Sequence, residues 1–279
     1  MASARDLRGD PGLEPTKLSS PRGPYVGTPP PKRAPLRWAS EPRLDRVLHE
    51  LHAGFGFQRW WPAATPFEVI AGAILTQNTA WTNVERALAN LRELRATTPA
   101  RILNCDPDAL RAALRPSGYF NAKTRKLQEI SRWYLEVGGL HALRERELGA
   151  LRDELLEVHG VGPETADSIL CYAAGRRTAV VDAYTRRILS RHELCEASAP
   201  YEELRAWLEE RLEPSQWVFE EFHALFVRAG YDHCKPTARC ETCPVETPRP
   251  LRQLSSNART NASNTEVEPR PRNPPARRG

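Results

Sequence analysis

Four groups of residues have types and spacings that suit chemistry. In His159-Gly160-Val161-Gly162-Pro163, two glycines one residue apart lie between two helical patterns. They permit a tight turn with positive φ, and Pro163 occupies the first turn of the next helix, where proline is best tolerated. The N–H groups of such a turn and of the helix after it grip a phosphate without reading base sequence. Alone, Gly-Val-Gly is also an ordinary corner between helices. Asp182 follows the apolar run 178–181 and opens a helical pattern that carries Arg186, Arg187 and Arg191. At a helix start, the dipole and free N–H groups keep a carboxylate ionised; by itself this is equally a helix cap. In Arg59-Trp60-Trp61-Pro62, two adjacent indoles on an interhelical segment cannot easily share one core face, which frees at least one for another task. Cys234, Cys240 and Cys243 form a C-x5-C-x2-C cluster, a metal-like spacing.

The elements that must position these groups are helical. Apolar residues recur at spacings of three and four over 43–52, 66–75, 81–94, 107–114, 124–137, 148–158, 163–174, 183–191, 201–211 and 216–228. Pro99, Pro107, Gly118, Gly138-Gly139, Gly160, Gly162, Gly175 and Pro214 read as breaks between them. The one β-like run, 178–181, is too short for a sheet, so the expected class is all-α. Residues 1–40 and 245–279 are rich in proline and polar residues, and cannot bury enough apolar surface to offset the entropy of ordering. They are expected to be disordered tails around a body at 41–244.

The net charge of +5 belongs to the chain ends, +4 before Glu41 and +5 from Arg249 onward, which leaves residues 41–248 at −4. Basic tails can hold a polyanion loosely, whereas a specific nucleic-acid contact needs a local patch in the body. Three of the six cysteines, at 105, 171 and 195, stand alone in helical patterns, which argues against a disulfide framework and for a reducing setting. Neither an apolar leader nor a membrane-length run is present, so a soluble, cytoplasmic setting is expected.

The order of hairpin, helix, short extended run and Asp182 at a helix start resembles the endonuclease III family of helix-hairpin-helix DNA glycosylases, over roughly residues 60–244. The resemblance implies two helical subdomains with a DNA cleft between them. One is a helical barrel at about 64–175 holding the hairpin 156–167; the other joins 41–63 to 176–244, with the cysteine loop 234–243. It implies a nucleoid-associated monomer with double-stranded DNA containing a damaged base as its partner and Asp182 as the catalytic carboxylate. Ile74-Leu75-Thr76-Gln77-Asn78-Thr79 resembles the loop whose Gln fills the gap left by a flipped nucleotide, and Ser117-Gly118-Tyr119-Phe120-Asn121-Ala122-Lys123 resembles a DNA-facing turn. His159, Gly160, Val161 and Gly162 are then DNA contacts, with Lys123, Arg186 and Arg187 as further phosphate contacts.

The branch is set by departures from that pattern. Endonuclease III has a lysine nucleophile where this chain has Glu164, and a carboxylate cannot form an imine, so lyase chemistry there is lost. Gly162-Pro163-Glu164-Thr165-Ala166-Asp167, the Trp60-Trp61-Pro62 run and Trp81 after Gln77-Asn78-Thr79 resemble 3-methyladenine DNA glycosylase III, a monofunctional enzyme for alkylated purines. Trp60, Trp61, Pro62, Trp81 and Glu164 would line its base pocket, where indole faces attract a cationic purine. Tyr231 stands where relatives often have a pocket lysine. Glycosylases for other damaged or mismatched bases, and a non-catalytic DNA-binding protein, are the competing readings. The family's C-x6-C-x2-C-x5-C loop holds a [4Fe–4S] cluster. Here the first gap is one residue shorter and Arg249 takes the fourth position, which leaves a cluster with an atypical fourth ligand, a metal-free loop, or a zinc site that recruits His233.

Overall fold

The computed structural model describes residues 27–31 and 35–245; the expected disorder of 1–26, 32–34 and 246–279 lies outside them. Among the described residues the chain forms twelve α-helices and no strand: α1 Pro42–Phe55, α2 Pro66–Leu75, α3 Trp81–Glu93, α4 Pro99–Leu103, α5 Pro107–Leu114, α6 Phe120–Glu136, α7 Gly139–Glu145, α8 Leu148–Glu157, α9 Pro163–Ser168, α10 Ala183–Arg191, α11 Tyr201–Arg211 and α12 Gln216–Asp232. A π turn, Ile169–Ala173, continues α9.

Local chemistry explains most helix starts. Thr65, Thr98 and Asp106 each accept a backbone N–H from the first turn of α2, α4 and α5, and a proline follows each of them. Two helices were not expected. Pro99 read as a break but opens α4, and Gly138-Gly139 turns the chain into α7 instead of ending the helical region.

Helix α2 is the centre of one group of helices. It is buried from Phe67 to Leu75 and packs on α3, α6 and the π turn, while α4 and α5 pack on α6. Each large apolar side chain buried in this way stabilises the fold by about 1.5–3 kcal/mol. In a second group α1 and α10 pack on α12, and the π turn touches α12 as well as α2. The one carboxylate buried in α2, Glu68, is held by a two-pronged contact with Arg92 at 2.8 and 3.0 Å and by the Ala64 N–H.

The expected body limits, 41 and 244, are corrected outward. Trp38 is fully buried with its ring 4.9 Å from Trp217, and Ala39 bridges to Leu212. At the other end Val245 is buried. A lone tryptophan in a proline-rich stretch gives no periodic signal, so only the tertiary contact reveals it.

Candidate active site

The hairpin joins α8 to α9. Gly160 takes φ +87° and Val161 donates back to the Val158 carbonyl at 3.0 Å, which closes the turn. Gly162 is extended, with φ −102° and ψ 178°, so only one of the two glycines supplies the expected positive φ. Gly160 also permits a close approach: a Cβ there would lie 2.4 Å from Lys126 Cγ. His159 is exposed on the turn and Val161 is buried beneath it.

The run 178–181 is extended but pairs with no strand, because side chains satisfy it instead. Asp167, fully buried on α9, receives Arg152 at 2.8 and 3.0 Å and the Tyr201 hydroxyl at 2.9 Å. The Thr178 hydroxyl lies 3.0 Å from Asp167 and 2.9 Å from Glu209, and Glu209 also accepts the Ala179 N–H at 3.1 Å. Val181 donates to the Tyr201 oxygen at 3.4 Å. This buried network ties α8, α9 and α11 to the segment that delivers Asp182.

Asp182 caps α10, with Oδ1 accepting the Thr185 N–H at 2.6 Å. Its Oδ2 lies 3.8 Å from His223 Nε2, beyond hydrogen-bond length. Burial pushes the carboxyl up, but His223 and the Thr185 N–H outweigh burial and hold it below the usual aspartate value. Glu164 faces both Asp182 and His223 across the start of α9. Desolvation in that cleft and the charge of Asp182 push it up to about 7, although the residue as a whole is exposed.

Trp60, Trp61 and Trp81 come together, with ring centroids 5.4, 4.7 and 5.4 Å apart for the pairs 60–61, 60–81 and 61–81. The slot expected between them is filled by the indoles themselves. A base sandwiched between two rings needs about 7 Å, twice the van der Waals separation. The expectation that one of the adjacent pair stands free is also corrected: Trp60 and Trp61 are 8 % and 3 % exposed. Both fit because Gly72 leaves room, since a Cβ there would lie 2.9 Å from Trp61 Nε1. Trp81 is the partly open ring, and Pro62 is half-buried beside the pair. Tyr172 of the π turn joins this cluster to the carboxylates: its ring is 5.5 Å from Trp61 and 5.6 Å from His223.

The remaining expected DNA contacts divide. Asn78 is exposed with φ +53°. Gln77 is tethered, its Nε2 donating to the Gly160 carbonyl at 3.0 Å and Thr165 Oγ1 at 3.1 Å, while Lys126 donates to its oxygen at 2.5 Å. Lys123 is a correction. It is 2 % exposed and its ammonium is bound by the carbonyls of Leu75 and Ser117 at 2.8 and 2.6 Å, so it secures the end of α2 and does not face phosphate. Burial and Lys126 lower it to about 8. Arg186 and Arg187 are half-buried and donate to the carbonyls of Ala199 and Cys234. Sequence reasoning missed Tyr172, His223 and Lys126. For the first two no local signal exists, because they meet only through the packing of the π turn on α12.

Cys234, Cys240 and Cys243 line one small cavity with His233, Arg191 and Arg239. Burial, with the two other thiols, pushes Cys243 up to about 11, and an Arg191 N–H lies 3.2 Å from Cys234 Sγ. Among the described residues no three His, Cys, Asp or Glu side chains converge as metal ligands, and the fourth family position, Arg249, lies outside them. The described loop supplies three of the four thiolates that a [4Fe–4S] cluster of this kind takes.

Comparisons with known proteins agree on the family. The model of the HhH-GPD superfamily of base excision DNA repair proteins matches residues 71–214. A protein of Methanocaldococcus jannaschii provisionally named a DNA repair glycosylase is 42% identical over 195 residues, 69% of this chain and 89% of its own length. Among solved structures, the H. pylori 3-methyladenine DNA glycosylase bound to 1,N6-ethenoadenine has a TM-score of 0.54 at 29% identity, covering 61% of this chain and 86% of the other. An endonuclease III–DNA complex has a TM-score of 0.61 at 23% identity, covering 77% and 95%, and shares the fold.

Proposed function

The chain belongs to the HhH-GPD superfamily of base excision DNA repair proteins, and from that premise we propose that it is a monofunctional DNA N-glycosylase for alkylated purines of the 3-methyladenine and 7-methylguanine type. It engages duplex DNA as a monomer, with the damaged nucleotide flipped out of the stack. The observation that carries this reading is Asp182, a carboxylate held ionised at the start of α10 with one oxygen capped by Thr185 and the other uncapped, next to an aromatic cluster.

The chemistry follows from those groups. An alkylated purine already carries positive charge, so the C1′–N bond breaks with its electron pair passing to the base and neutralising it. The sugar is left with oxocarbenium character, which an ionised carboxylate stabilises. A water oxygen then bonds to C1′ and its proton passes to Asp182. The open face of Trp81 offers a π-surface to the cationic base, and stacking of this kind, about 1–3 kcal/mol per base, helps offset unstacking from the duplex. Glu164, where endonuclease III has its lysine nucleophile, adds negative charge and has no amine to form an imine. The hairpin at Gly160–Gly162 holds a phosphate near the lesion, and Gln77 leaves its tether to enter the vacated stack. None of these steps passes through the cysteine loop.

The relative that is a 3-methyladenine DNA glycosylase supports the choice of base. The test is a single-turnover incubation with duplex DNA containing 7-methylguanine or 3-methyladenine. Free base is expected, with strand breaks appearing only after alkali. Breaks before alkali would contradict the monofunctional reading, and no release from either duplex would contradict the base preference.

A further inference from the structure

His223 is 5 % exposed in the middle of α12. Its Nδ1 lies 2.7 Å from the Tyr172 hydroxyl, which in turn lies 2.9 Å from the Glu220 carbonyl. Its Nε2 is buried, has no hydrogen-bond partner among the described residues, and lies 3.8 Å from Asp182 Oδ2. That oxygen is the one the Thr185 cap does not use. A lone pair on Nε2 would face a carboxylate, so the proton is assigned to Nε2, and the single Tyr172 hydroxyl proton is then donated to the Nδ1 lone pair in place of the Glu220 carbonyl. The phenol therefore sets the ring's orientation, and the ring sets what the carboxylate meets.

We infer that His223, oriented through Nδ1 by Tyr172, is the positioning residue for Asp182, its Nε2–H facing at 3.8 Å the carboxylate oxygen that the helix cap leaves open and favouring the charge there. This rests on the reading that Asp182 is the catalytic carboxylate. The other titratable groups facing Asp182 are Glu164 from α9 and Tyr184 from α10, both acids that do not favour its charge. On α12 itself, Glu220 is engaged by Thr28 and Gln216, and Glu221 by the Gln58 N–H and His52. With the imidazole removed, burial and Glu164 act on Asp182 with the Thr185 cap alone against them, and its ionisation moves to higher pH.

Two measurements test the inference. Nitrogen-15 NMR of the imidazoles in the DNA-free protein is expected to show His223 with its proton on Nε2, and its signals are expected to move in Asp182→Asn and in Tyr172→Phe. An unprotonated Nε2, or signals that ignore Asp182→Asn, would overturn it whatever base the protein releases. The second is the ratio of wild-type to His223→Phe single-turnover rates from pH 5.5 to 8.5, with melting curves to verify folding. The ratio is expected to grow toward low pH, about tenfold for each unit by which the acid limb moves. It is expected to grow in the same way when both proteins also carry Glu164→Gln. A ratio that is constant with pH marks a merely structural histidine, and growth that vanishes with Glu164→Gln means that His223 acts on Glu164; either result overturns the inference. Undiminished base release by Asp182→Asn would instead sink the catalytic assignment, and would do so independently of the His223 signals.

Discussion

Asp167 and Asp182 are neighbouring aspartates withdrawn from water, and the protein surrounds them in opposite ways. Asp167 is enclosed by a two-pronged arginine, a tyrosine hydroxyl and a threonine hydroxyl, so both oxygens are occupied. Asp182 has one firm donor, the Thr185 N–H, and an imidazole just beyond bonding distance. A buried carboxylate with all its acceptor sites filled is a structural tie, since nothing remains for a substrate to use. One that is kept charged with an oxygen open has capacity left for a water or a developing cation. The first carboxylate holds the extended segment 178–181, and that segment carries the second into place.

The comparison can be broken from either side. The largest effect on stability is expected at the tie: Asp167→Ala leaves the buried Arg152 with the half-exposed Glu202 as its one remaining carboxylate partner and takes the acceptor from the Tyr201 hydroxyl, at a cost of about 3 kcal/mol, read by chemical denaturation. A loss below 1 kcal/mol would mean that the network does not hold the segment. Next comes the aromatic wall. Trp81→Ala removes the open indole face and is expected to weaken the complex with lesion-containing DNA by about 1–3 kcal/mol, with undamaged duplex bound as before. Equal weakening on both duplexes would make Trp81 a general packing residue. The smallest effect concerns the second acid of the cleft. Glu164 is pushed up to about 7, so it is neutral below that pH and anionic above it, and the anion favours a cationic base. Base release is expected to rise as pH passes through about 7 and to lose that rise in Glu164→Gln; an unchanged profile would remove Glu164 from the site.

Much of the scaffold is written locally. Ten helical patterns, the glycine hairpin and an aspartate at a helix start are matters of spacing and capping, and the helices α2, α5, α10 and α11 fall where their periodicity places them. What was not legible depends on contacts between distant segments. Thr178 and Ala179 look like a strand start, yet their partners are the side chains of Asp167 and Glu209. Lys123 follows a turn that resembles a DNA-facing one, yet it is buried against two carbonyls, because only packing decides whether a lysine stem ends in water. His223 reads as one residue of an apolar helix, and its role emerges only when the π turn brings Tyr172 beside it. The short helix α4 escaped because a proline that ends one helix is also the residue that starts another.

The most direct test of the site is the Asp182→Asn protein, assayed for single-turnover base release and for thermal stability side by side. Asparagine keeps the shape and the cap to Thr185 while removing the charge. Release is expected to fall at least a hundredfold, in line with the loss of one strong electrostatic contact to a transition state, with the melting temperature and the affinity for undamaged duplex nearly unchanged. Full release by the variant would show that the carboxylate at the start of α10 is only a cap, and the contrast with Asp167 would be lost.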